Sequence, residues 1–76
     1  MKYITGEEIE IGDIVLIEHE KTIGIVSSII ETQQDMETWG VDIQGVMIEA
    51  EPFGLVLWDH RDIYDPIILK NRKKAI

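Results

Sequence analysis

The sequence predicts an all-β protein, a small antiparallel barrel of the SH3-like kind, with about five strands and a short helical turn in the 32–40 loop. Three observations point there. The apolar runs are short, rich in Ile and Val, and punctuated by glycines, as strands are. The connections between them fall short of the dozen or more residues that a parallel crossover needs, so pairing is antiparallel. A chain of 76 residues must curl such a sheet tightly to enclose a core at all.

Tyr3-Ile4-Thr5-Gly6 reads as a short extended piece ending at a turn. Ile9-Glu10-Ile11 alternates and gives way to a Gly12-Asp13 turn. Ile14–Glu18 is the first strong strand, and Glu18–Thr22 is a polar connection. Ile23–Ile30 is the second strand. Gly24 inside it marks a bulge or a close backbone approach.

Thr32–Trp39 is polar and helix-compatible. Thr32 suits an N-cap, with Asp35 three residues on, and Gly40 suits the C-terminal stop. Met36 and Trp39, three apart, then share a face. Val46, Met47, Ile48, Glu49 and Ala50 alternate, with Val46, Ile48 and Ala50 on one face. Glu51-Pro52-Phe53-Gly54 suits a type I turn, and Leu55–Trp58 returns as the partner of a hairpin. Asp59–Tyr64 reads as a turn or a single helical turn. Asp65–Leu69 is the last strand, with Pro66 at its start. The expected organisation is one domain over residues 1–69 and a basic tail over 70–76.

No cysteine is present, which excludes disulfides and thiolate zinc sites and fits a reducing compartment. Stability must come from an aliphatic core, which 45% hydrophobic residues can supply, or from association. The start of the chain lacks the pattern of a signal peptide. No apolar run approaches the ~20 residues that cross a bilayer. The expected location is the cytoplasm, without membrane contact.

Charge narrows the partners. Residues 1–69 carry all 15 acids against Lys2, Lys21 and Arg61, a balance of −12. Such a body repels nucleic acid, which is bound by neutralising phosphates, and favours encounter with basic proteins. Lys70, Arg72, Lys73 and Lys74 make the tail basic and lie off that contact surface.

The candidate chemistry is sparse. Asp59-His60-Arg61-Asp62 superficially resembles a catalytic or metal cluster, but adjacent turn residues point apart, so it reads as a solvated turn. Ser27 and Ser28 lie mid-strand without a base and orienter. The six glycines match no phosphate-binding spacing. A barrel this small has little room for a substrate groove between paired carboxylates. No enzyme activity, cofactor or metal is expected. Of Trp39, Phe53, Trp58 and Tyr64, two or three belong in the core, and Trp39 is the best candidate for exposure. Ile14–Ile17 and Ile29-Ile30 are apolar on both faces, where an antiparallel sheet with one wet face would alternate. Either loops cover the outer face or another chain does.

Ile11-Gly12-Asp13-Ile14-Val15 followed by Gly24-Ile25-Val26 resembles the entry to SH3-like and KOW-type barrels. Tyr3–Glu8, Ile11–Asp13, the acidic loop with Trp39-Gly40, Gly45–Glu49 and Phe53–Val56 together resemble small bacterial proteins of polymorphic or contact-dependent toxin loci. The resemblance covers about residues 3–58. It implies an immunity protein that binds and neutralises a basic, nuclease-type toxin, and it assigns no residues. Charge and expected exposure nominate Asp35, Glu37, Trp39, Asp42, Glu49 and Glu51 as the partner-binding set. The alternatives are a structural or regulatory module acting through homodimerisation or a larger complex, and a KOW-type nucleic-acid module using the tail.

Overall fold

The computed structural model describes residues 1–51, 53–59 and 61–72. The expectations for Pro52, His60 and the tail lysines Lys73 and Lys74 lie outside the described residues. The all-β fold class is the one observed. β1 (Ile14–Ile17), β2 (Thr22–Ile30), β3 (Gly45–Ala50), β4 (Gly54–Trp58) and β5 (Ile68–Asn71) form one antiparallel sheet, and α1 (Gln33–Trp39) interrupts the β2–β3 connection. The strand order is β4-β3-β2-β1-β5, so the last strand returns to pair with the first.

All five strands feed one core. Val15 and Ile17 of β1, Val26 of β2 and Val46, Ile48 and Ala50 of β3 are buried together. Val56 and Trp58 of β4 and Leu69 of β5 pack against them. A five-strand sheet whose every strand reaches one cluster has to curl into a barrel. The curl has a local origin in β2. That strand pairs with β1 through Thr22–Ile25 and with β3 through Ile25–Ile30, and its register slips between Val26 and Ser28. A bulge there bends the strand and sharpens its twist.

Gly24 sits opposite Val15, three residues before the bulge at Ser27, and is buried. A Cβ at this position would run into Cγ2 of Ile48 and lie 3.3 Å from the carbonyl oxygen of Glu49. Of the two readings the sequence offered, Gly24 is therefore the close approach and Ser27 marks the bulge.

The N-terminal segment lids one end of the barrel. The Tyr3 N–H donates to Glu7 O at 2.9 Å and the Ile9 N–H to Met1 O at 2.8 Å, and the Tyr3 and Ile9 side chains enter the core. The β1–β2 hairpin turns through Glu18, His19 and Glu20, with φ of 53, 56 and 66°. Three consecutive left-handed side-chain residues are costly. The conformation is pinned by the His19 N–H donating to Asp65 Oδ1 at 2.7 Å and by the Thr22 hydroxyl donating to Glu18 Oε1 at 2.7 Å.

α1 extends the expected helical turn to seven residues. Thr32 caps it: the Asp35 N–H donates to Thr32 Oγ1 at 3.0 Å, and the Thr32 N–H donates to Asp35 Oδ2 at 3.1 Å. Gly40 ends it in the left-handed region, φ 68°. No residue of α1 is buried, and Met36, on the face it shares with Trp39, is half-buried.

Several strand ends shift by one residue from expectation, and two differences matter more. The β3–β4 turn closes one residue early, by the Phe53 N–H donating to Ala50 O at 2.8 Å. β5 begins at Ile68 and runs on to Asn71, past the expected end at Leu69. It does so because β1 offers partners to Ile68, Leu69 and Asn71.

Candidate functional site

Alternation decides what the outer face of the sheet displays. Gly24 and Val26 face the core, so Ile23 and Ile25 face out, 53% and 50% exposed. Register then builds a row across three strands. Ile25 lies opposite Glu49, and Glu49 lies opposite Leu55, which is 48% exposed. On the other side Ile14 pairs with Ile25 and Leu16 with Ile23, both half-buried. The outer face is thus an apolar surface with one carboxylate set into it. Beside that row is a depression of about 310 Å³ lined by Ile23, Gly24, Ile25, Glu49 and Glu51.

The six nominated residues do not form one patch. Asp35, Glu37, Trp39 and Asp42 lie in the β2–β3 connection, before Gly45, whereas Glu49 and Glu51 lie at and just beyond the other end of β3. Four residue rises, about 13 Å, separate Gly45 from Glu49. Asp35 is occupied as a cap: its carboxylate accepts from the Thr32 and Glu31 N–H groups, which hold it below the usual carboxylate range. Glu37 and Asp42 are exposed, and Trp39 is 38% exposed. Among the described residues none of Glu37, Asp42, Glu49 and Glu51 has a cationic partner.

No family model, no curated protein and no solved structure matches this chain.

Its function is argued from its own chemistry. The described residues contain no group of three or more His, Asp or Glu side chains that would hold a metal ion, and no helix long and apolar enough to cross a membrane. Ser27 and Ser28 are half-buried at the β2 bulge. The Asp59–Asp65 connection is a turn held by its own carboxylates. Asp59 Oδ1 accepts from the Arg61 N–H at 2.9 Å, and Asp62 Oδ1 accepts from the N–H groups of Tyr64 and Asp65.

The one buried ionisable cluster among the described residues is structural. Asp13 is 1% exposed and anchors the N-terminal lid. It accepts from the Tyr3 hydroxyl at 2.5 Å, from the Glu10 N–H at 3.0 Å and from Arg72 Nε at 3.0 Å. Burial pushes its pKa up, but these donors outweigh burial and hold the carboxyl below its ordinary range. Burial and the bond to Asp13 push the Tyr3 phenol well above the ordinary tyrosine value. Arg72, expected in a tail apart from the body, also bonds Glu8 O at 2.8 Å and Glu10 Oε2 at 3.2 Å.

Sequence reasoning missed two things here. Of the four aromatics weighed for the core, only Trp58 packs against it, donating its indole N–H to Asp65 O at 2.8 Å. Phe53 and Tyr64 are 55% and 86% exposed, and the buried aromatic is Tyr3. The outward isoleucines were also missed. The alternation Ile23, Ile25 around an inward Gly24 was a readable signal, but it was absorbed into one apolar run.

Proposed function

We propose that this chain is a non-enzymatic protein-binding domain of the inhibitor or immunity type, which docks a basic, nuclease-type toxin domain on its outer sheet face. The observation that carries this reading is the row Ile25–Glu49–Leu55, exposed across three strands and flanked by Glu51. Stable complexes combine a desolvated apolar centre with charges that steer encounter. Ile23, Ile25 and Leu55 supply the centre. Glu49, Glu51 and a body charge of −12 over residues 1–69 supply the steering.

The same charge weighs against the self-pairing alternative, since two copies each carrying −8 repel as they approach. It weighs equally against nucleic acid. Arg72, one of the four tail cations, is committed to Asp13 and Glu10 rather than offered to phosphate. A toxin made in the same cell would be met in the reducing cytoplasm, where a cysteine-free chain is at no disadvantage.

The test is a calorimetric titration against the toxin domain encoded beside this chain's gene. A one-to-one complex with loss of the toxin's nuclease activity is the expected result. No heat, or no toxin-like gene beside it, overturns the reading.

A further inference from the structure

We infer that the depression between β2 and the β3–β4 turn receives a single arginine side chain from the partner protein. This deepens the inhibitor reading and rests on it.

The depression has two unlike walls. Ile23 and Ile25, alternate residues of β2, form the apolar wall, and the buried Gly24 backbone lies between them. Glu49, in β3, and Glu51, just beyond its end, form the other. Ile25 is the register partner of Glu49, so the walls face each other across one strand spacing. Neither carboxylate has a cationic partner among the described residues. The missing complement is a cation that arrives on an apolar stem. Long basic side chains have that construction. Arginine fits better than lysine, because its forked guanidinium carries donors for two separate carboxylates and is more weakly hydrated than an ammonium. Its methylenes lie on Ile23 and Ile25 while its head spans Glu49 and Glu51. Leu55, opposite Glu49 on the far side, is placed to meet the apolar neighbours of that arginine.

The test uses the isotope-labelled full chain and NMR titration with an acetylated, amidated pentapeptide, Ala-Leu-Arg-Leu-Ala, at millimolar concentration. Its citrulline counterpart keeps the shape and removes the charge. The expected result is shifts at the amides of Ile23 to Ile25 and Glu49 to Glu51, with the citrulline peptide about tenfold weaker or more. The Glu49→Gln/Glu51→Gln variant, whose spectrum elsewhere must overlay that of the parent, removes the difference between the two peptides. Equal binding of both peptides by the parent chain overturns the proposal, since the site then reads only apolar surface. Shifts confined to Glu37–Asp42, or no shifts at all, also overturn it. The inhibitor reading fails separately, by silence in the toxin titration. Toxin binding that is retained in full by the double variant sinks the arginine site while leaving that reading intact.

Discussion

Arg72 Nε stands 3.0 Å from Asp13 Oδ1, a contact that spans 59 residues and ties the end of β5 to the N-terminal lid. Asp13 is buried and Arg72 is part-exposed, so the carboxylate is the member that depends on the pairing. Asp13→Asn removes the charge while keeping the shape, and turns one of the two accepting oxygens into an NH2 that faces a donor. A loss of about 2–3 kcal/mol is expected, because hydrogen bonds to charged groups are worth that much. Arg72→Met leaves the buried charge without its cation and destabilises in the same direction.

The pair also sets acid stability. The folded Asp13 carboxyl titrates below its unfolded value of about 4, so its contribution is complete above that pH and disappears as pH falls through the lower folded value. Urea midpoints measured from pH 7 down to pH 2 will therefore drop below about pH 4. In Asp13→Asn that drop is shallower. It is not abolished, because Asp35 and Glu7 are lowered in the folded state as well.

Gly24→Ala adds one methyl to a site with no space for it. The nearest atoms are Cγ2 of Ile48 in the core and the Glu49 carbonyl of the neighbouring strand, which cannot swing aside as a flexible side chain would. Overpacking of this kind costs about 1–3 kcal/mol, measurable as a lower thermal midpoint. An unchanged midpoint would show that β2 and β3 have slack where the structure closes them.

α1 depends on its ends. Thr32→Ala removes one side of the capping box, worth about 1 kcal/mol to a helix. No residue of α1 is buried, so the loss stays local. Amide exchange at Asp35–Trp39 should quicken while the global midpoint barely moves. A large fall in global stability would mean that the helix carries core contacts.

The β1–β2 turn stores strain in Glu18, His19 and Glu20. Glu20→Gly relieves one left-handed residue at the cost of added freedom in the unfolded chain. A net gain of up to about 1 kcal/mol is expected by denaturant titration.

Local signals were legible and distant ones were not. Thr32, Asp35 and Gly40 announce a capped helix because the cap chemistry sits within nine residues of sequence. The alternation of Val46, Ile48 and Ala50 gives their face because a strand has a period of two. The Arg72–Asp13 contact had no such signal: a basic residue near the end of the chain reads as tail, and only the return of β5 to β1 brings it home. The nominated acids failed to converge for a related reason. Sequence shows that Asp42 and Glu49 are seven residues apart but not that β3 lies between them as a rigid spacer. The register slip at Val26–Ser28 was equally hidden, since neither serine carries a turn signal.

The proposed docking face lies at the Glu49 end of β3, and Trp39 lies toward the Gly45 end. Calorimetry of the proposed toxin partner against Ile25→Ser and Trp39→Ser separates the two. Both positions are exposed, so both variants should fold. The outer-face account predicts that Ile25→Ser weakens binding by about thirtyfold or more and that Trp39→Ser changes it by less than about threefold. The opposite ranking, with Trp39→Ser abolishing the complex and Ile25→Ser leaving it intact, would contradict it.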